Sequence, residues 1–433
     1  MDHLAAESGI AVSGLSTDPG GREWHRLHWL ADAAEHQISA NIVPFWLALR
    51  DDERGGFFGK ALDRSRIDRN APKGTVLSAR ILWTFASLHD AMPGLAVADT
   101  ARHARDHMLE RHVDPEHGGV FWSVSADGAP LDTRKHLYGQ AFAVYGLATA
   151  ARVMRDDPAL AAAQRLWASI NAKSDGLRFP WRCESFSRDW LPLPNDLMGK
   201  AEAQASMNVL LHLIEAAHAL WLASGEAGVK ADLLRLLETV LALDNNCQSG
   251  FASFYGPGPP DYTLSLGHDI EAYWLTVTIA AGVDAELGQR AATRLAAIPE
   301  TVAGYGITRD GALIAGRDLR GKLDRNKLWW VQAEALVGYL VAFEQTGDLR
   351  HLDRVERLWR FVETRLADRA GEDWRQLPVG ILGRNRNLPR ADAWKCPYHS
   401  TRACLELMTR ARRLAMLAGP DVQYPDHPTG SAD

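Results

Sequence analysis

Tyr138-Gly-Gln-Ala-Phe-Ala-Val-Tyr-Gly-Leu-Ala-Thr-Ala-Ala151 reads as a helix apolar on nearly every face, whereas Ala231-Asp-Leu-Leu-Arg-Leu-Leu-Glu-Thr-Val-Leu241 carries a single apolar stripe. A helix apolar all round is buried, and one with a stripe lies between core and solvent. The periodicity predicts helices over 22–50, 73–91, 96–112, 136–155, 158–172, 200–224, 227–244, 268–283, 284–298, 326–346, 349–367 and 396–417. These fall into six consecutive pairs at intervals of about 60 residues, most with an Ala-, Leu- and Val-rich helix first and a more charged partner second. Six buried helices, each backed by an amphipathic one, predict an all-α closed barrel of helical hairpins. An open solenoid would not need six such apolar inner helices. Residues 21–417 are expected to form this single domain, with 1–20 and 418–433 aperiodic and disordered.

The connections divide into two kinds. Arg155-Asp-Asp-Pro158 and Thr346-Gly-Asp-Leu349 are short turns. Gly55-Gly-Phe-Phe-Gly59, Gly118-Gly-Val-Phe-Trp-Ser-Val-Ser-Ala-Asp-Gly128, Gly250-Phe-Ala-Ser-Phe-Tyr255 and Gly306-Ile-Thr-Arg-Asp-Gly-Ala-Leu-Ile314 are long and carry strand signals. Ala-Asp-Gly and Arg-Asp-Gly within alternating apolar runs predict β-hairpins. Long loops gathered at one end of a helical scaffold are where a binding site usually sits.

The composition narrows the class. A net charge of -6 over 433 residues gives no basic field for nucleic acid and no polybasic membrane anchor. No apolar run reaches the ~18 residues of a membrane span. Cys183, Cys247, Cys396 and Cys404 form no zinc or redox spacing, and the N-terminal residues lack the pattern of an export signal, so a cytoplasmic protein with reduced thiols is expected. The 15 tryptophans can be core or sugar-stacking platforms.

Gly267-His268-Asp269-Ile270-Glu271 and Trp394-Lys395-Cys396-Pro397-Tyr398-His399 each place a histidine near a predicted helix start. Glu271 follows His268 by three residues, on the same helical face, where it can hold the imidazole. Two histidines from distant parts of the chain suit proton transfer to and from opposite sides of one carbon, as in an epimerase or isomerase. The plainer alternative is that both cap helices. Arg80 interrupts the apolar run Val76-Leu-Ser-Ala-Arg-Ile-Leu-Trp83, and a guanidinium there needs an anion or substrate oxygens; a salt bridge to Glu334 would also serve. Asn208 and His212, four apart, share one face.

Six segments in order, Lys73–Phe85, Lys135–Phe142, Met207–Ala216, Gly267–Ala272, Trp329–Ala335 and Trp394–His399, resemble the N-acylglucosamine 2-epimerase superfamily, closest to its cellobiose 2-epimerase branch. The likeness spans about residues 24–417. It implies an (α/α)6 barrel with the site at the long-loop end and with no metal and no organic cofactor. It also implies that His268 and His399 are the acid–base pair, with Glu271 orienting His268. His212 would stand near the ring oxygen, and Arg80 would bind the oxygens that gain charge in an enediolate. Tyr138, Asn208, Trp330, Glu334 and Trp394 are carried over as substrate contacts, Trp394 favouring a second sugar unit; Trp329 is read as core. Val209-Leu210-Leu211 departs from the family's more polar wording and makes that wall of the pocket more apolar.

The chemistry expected is C2 epimerisation of a reducing sugar through ring opening and an enediol. Neutral histidines suit it, each contributing roughly 10²–10⁴ in rate. An aldose–ketose isomerase shares the enediol and is the alternative. A glycoside hydrolase needs two carboxylates where these helices carry histidines. A sugar-binding protein without activity would have no use for His268, Glu271 and His399 together. The expected partner is a small sugar, with no nucleic acid and no membrane, the chain acting as a monomer or homodimer.

Overall fold

The computed structural model describes residues 22–418 apart from 199, 245–249, 259, 319 and 368–370, so both expected disordered ends lie outside the described residues. The chain opens with α1 (Arg22–Gln37), which runs through a π-helical turn at Ile38–Ile42 into a short helix at Val43–Leu47. There follow α2 (Thr75–Ala91), α3 (Ala98–His107), α4 (Leu137–Met154), α5 (Asp157–Lys173), α6 (Met207–Ser224) and α7 (Ala227–Ala242). The second half holds α8 (Leu266–Val283), α9 (Ala285–Leu295), α10 (Ile298–Gly306), α11 (Trp329–Thr346), α12 (Leu349–Phe361) and α13 (Tyr398–Ala418).

The apolar helices form the inner layer. α2 packs on α4, α4 on α6, α6 on α8, α8 on α11, α11 on α13, and α13 returns to α2. Outside them, α3 covers α2, α5 covers α4, α7 covers α6, α9 and α10 cover α8, and α12 covers α11. α1 covers α13, so the two ends of the described chain meet. The outer helices show the predicted stripe: α12 buries His351, Leu352, Val355, Leu358 and Trp359 at spacings of three and four. α6 is long and apolar enough to cross a membrane, contrary to the reading that no run was, yet it lies between α4 and α8.

Local chemistry moved some boundaries. The helix expected over 284–298 is α9, ending at Leu295, and a further helix not expected, α10, follows it with Pro299 in its first turn, where a proline is tolerated. α6 begins at Met207 rather than 200. Ala205–Ser206 pairs as a strand with Phe254–Tyr255, and the Ser206 hydroxyl caps the helix by accepting from Val209 N. The Ala-Asp-Gly turn closes Ser123–Val124 against Pro130–Asp132 as expected. The Arg-Asp-Gly turn closes on one bridge, Ile307 to Leu313, and makes no ribbon.

A recurring buried anchor fixes the starts of three inner helices. Lys73 donates to Asp51 at 2.8 Å and to the Gly55 carbonyl at 2.6 Å. Lys135 donates to Asp114 at 2.9 Å and to the Gly118 carbonyl, and Lys395 donates to Asp373 at 2.7 Å. Each lysine is buried just before an inner helix. Loss of one partner from such a pair costs about 3–5 kcal/mol, because it leaves an uncompensated charge inside. The fourth residue of α4 and of α11 repeats a second device: the Gln140 and Gln332 amides each bond both backbone groups of one loop residue, Val120 and Leu313. These bonds anchor the starts on which Tyr138 of α4, Trp330 of α11 and His399 of α13 stand.

Candidate active site

His268 lies in the first turn of α8 and His399 in the first turn of α13, with the Trp330 ring of α11 beside both. The ring centroids are 4.8 Å apart for His268 and Trp330 and 5.9 Å for Trp330 and His399. Gly267 leaves room for that indole, since a Cβ there would come within 2.4 Å of it. His399 Nδ1 is 2.6 Å from Glu334 Oε1, and His212 Nδ1 is 2.7 Å from Glu215 Oε2. A carboxylate partner keeps the proton on Nδ1 and leaves Nε2 as the basic nitrogen. His268 Nδ1 lies 2.8 Å from the Ser265 hydroxyl instead.

Across the pocket, Arg80 donates to the Tyr138 hydroxyl at 2.8 Å and lies 4.1 Å from the Phe142 ring centre. It is buried, and among the described residues it has no carboxylate partner. Asn208 bonds the Tyr138 phenol, and the Tyr138 ring sits 5.1 Å from His212 and 6.0 Å from Trp394. Trp394 is 42% exposed and, with Trp122, walls a cleft of about 470 Å³. At the base, Arg402 bonds Glu271 at 2.6 Å, Glu334 at 2.7 Å and also Glu215, whose other oxygen holds His212. All ten residues expected at the site therefore belong to one continuous set of contacts.

Burial keeps the imidazoles neutral. It lowers His268 to about 4, with His212 adding to the effect. His399 is held well below the usual histidine range by burial and by the Arg80 and Arg402 charges. Burial also lowers His212, against the opposing pull of Glu215. For Glu215, burial works upward, but Arg402 and the His212 bond outweigh it and leave the carboxyl at about 2. Burial and the nearby Glu334 charge push Glu271 up. Neutral histidines beside a guanidinium that no carboxylate neutralises are equipped to take a proton from carbon and to hold the charge that forms.

Residues 56–400 match the N-acylglucosamine 2-epimerase (GlcNAc 2-epimerase) family. The chain belongs to that family. Among its relatives is the cellobiose 2-epimerase of Ruminococcus albus, 34% identical over 385 residues, 86% of this chain and 97% of that one. The solved cellobiose 2-epimerase of Spirochaeta thermophila superposes with a TM-score of 0.82 at 32% identity, covering 90% of this chain and 98% of that one. A D-mannose isomerase of Pseudomonas cannabina is more distant, 27% identical over 87% of this chain and 93% of its own length.

In this member of the N-acylglucosamine 2-epimerase family one expected pairing is replaced, and the alternative partner considered for Arg80 is engaged elsewhere. Glu271 does not hold His268, although three residues separate them: its Oε1 takes Arg402, and Ser265 holds the histidine. A buried cation outcompetes a neutral imidazole for a carboxylate. Glu334 does not pair with Arg80 but accepts from Trp274 at 3.0 Å and bonds His399 and Arg402. Arg402, Glu215 and Ser265 went unassigned. Glu215 carried the signal that singled out Arg80, a charge on an otherwise apolar inner helix; Arg402 shares its helix with Glu406, Arg410, Arg412 and Arg413 and did not stand out; Ser265 carried none, since any serine before a helix reads as a cap. Carboxylate and histidine atoms lie close enough to share a metal ion at Glu271–Glu334–His399 and at His212–Glu215–Glu271. In both groups the Arg402 guanidinium already bonds the carboxylates.

Proposed function

We propose that the chain is a carbohydrate 2-epimerase, a cytoplasmic (α/α)6-barrel enzyme of one catalytic domain over 21–417, acting as a monomer or homodimer without nucleic-acid or membrane partners. It interconverts the C2 epimers of a reducing sugar and uses neither metal nor organic cofactor. The observation that carries this reading is the placement of two neutral histidines, His268 and His399, on separate inner helices beside one indole.

In this reading the sugar ring opens first, with His212 near the ring oxygen and Tyr138 and Asn208 on hydroxyls. One of the pair His268 and His399 then removes the C2 proton, leaving a cis-enediolate whose oxygen charge Arg80 stabilises. The other returns a proton to the opposite face. Glu334, expected as a substrate contact, acts behind His399, and Glu271 completes the carboxylate floor on Arg402. Trp330 stacks on the reacting sugar. The open cleft at Trp394 and Trp122 suits a second unit, which favours a cellobiose- or mannobiose-type disaccharide over glucose or mannose. The relatives named above support the same class.

Incubation with cellobiose, mannobiose, glucose and mannose, followed by reducing-end analysis, tests the reading. The expected product is the C2 epimer, carrying deuterium at C2 when the reaction runs in deuterated water. A ketose as the dominant early product, with no C2 epimer, assigns the chain to aldose–ketose isomerisation, the alternative to which the D-mannose isomerase likeness points.

A further inference from the structure

We infer that Arg402 is a positioning residue whose single charge sets the pH range in which the histidines of this site work. The inference rests on the epimerase reading for its kinetic readout, though not for its electrostatics. Arg402 stands one turn after His399 on α13 and bonds three buried glutamates from three other inner helices: Glu215 of α6, Glu271 of α8 and Glu334 of α11. Two of these are the carboxylates that fix Nδ1 of His212 and His399. One guanidinium therefore stands behind two histidines on different helices.

The charge balance makes the role necessary. Three carboxylates in a closed interior cannot all stay ionised without a cation, and Arg80, the other buried guanidinium nearby, is engaged with Tyr138 and Cys396 rather than with them. The remaining titratable groups around the cluster are Asp90 of α2, Tyr138, Tyr145 and Arg152 of α4, His218 of α6 and His268 of α8, with Arg152 paired to Asp90 at 3.2 Å. Tyr398 and Glu406 lie on α13 itself. Tyr398 donates to Glu215 at 2.7 Å, and Glu406 is taken by Arg410 at 2.7 Å. Arg152 is balanced by Asp90, and none of the others adds a positive charge at neutral pH. Among the described residues, the buried Arg402 Nε has no hydrogen-bond partner. The guanidinium also lines a second cavity of about 150 Å³ with Trp83, Tyr145, Glu215 and Trp274, so it forms the partition between that cavity and the histidines.

Arg402→Met removes the charge while leaving His399, His268 and Arg80 in place. The expected result is an acid limb of kcat/KM displaced upward by about one pH unit or more, the effect of losing a unit charge at contact range. kcat should fall and KM should change little. Glu215→Gln removes one anion and should move the limb the other way. The double variant, which loses cation and anion together, should return it toward the native position. That double variant also restores the buried charge balance, so if Arg402→Met fails to fold, the comparison of Glu215→Gln with the double variant reads the same quantity. Histidine ring signals followed by NMR across pH, without substrate, report the shift even if no sugar is epimerised, so failure of the epimerase reading is told apart from failure of this one. An acid limb and ring titrations unmoved between Glu215→Gln and the double variant would overturn the inference and leave Arg402 a packing residue.

Discussion

The starts of α8 and α13 look alike in sequence, each with a histidine in its first turn, yet the structure builds them differently. His399 is buried and tied through Glu334 to Arg402, so its tautomer is fixed by a charge. His268 is half-buried and meets only the Ser265 hydroxyl, which can donate or accept. A carboxylate commits an imidazole to one protonation pattern, whereas a hydroxyl lets it serve in either. His399 is thus governed by a network spanning four inner helices, and His268 by a single neutral bond to the residue just before its own helix. A two-base epimerase working in both directions needs both groups, but it needs them to respond differently to their surroundings.

Removing either imidazole tests whether the two starts are equally essential. His268→Ala and His399→Ala should each lower kcat by at least about 10²–10⁴, the contribution of one acid–base group, with circular dichroism unchanged. Near-native turnover in one of them would break the pairing. Glu334→Gln comes next, at about 10² in kcat, because His399 loses the anion that selects its tautomer. The sign of its pH effect is fixed: a negative charge beside an imidazole favours the cation, so its loss lowers the His399 pKa and moves the acid limb down. In the native enzyme that limb should lie below the ordinary histidine value, since His268 sits at about 4 and stays deprotonated as pH falls through 6. Ser265→Ala removes a neutral bond worth about 0.5–1.5 kcal/mol and should slow the reaction roughly 2–10-fold, which progress curves resolve. The smallest effect expected is that of chelator. His399, with Glu271 and Glu334, belongs to a group that could bind an ion, and among the described residues the His268 imidazole belongs to none. Activity should nonetheless survive EDTA, and activity lost to chelator and regained with one divalent ion would count against proton transfer by histidine alone.

Most of the helices were legible because burial leaves a periodic trace. α4 and α7 could be sorted into inner and outer from their apolar faces alone, and the six motif segments gave the order of the site residues. Boundaries at Pro299 and Ser206 were set by single-residue effects that periodicity averages away. At the site, His268 and His399 stood out as histidines near helix starts, and Arg80 as a charge within an apolar run. Glu215 carried the mark of Arg80 but was not singled out, because an isolated charge in a sequence does not declare its partner, and Arg402 was one of several charges on its helix. The i,i+3 spacing of His268 and Glu271 suggested a bond that tertiary competition from Arg402 removed.

The sequence alone determined that the apolar helices must be covered by amphipathic ones and that two histidines begin two of them, since hydrophobic periodicity and residue chemistry are local properties of the chain. Only the tertiary structure decided that α1 packs on α13, that Trp330 stands beside both histidines, and which carboxylate each cation meets. Those outcomes depend on which side chains, far apart in sequence, reach the same few ångströms of buried space, where low polarity makes one charge pairing win over its rivals.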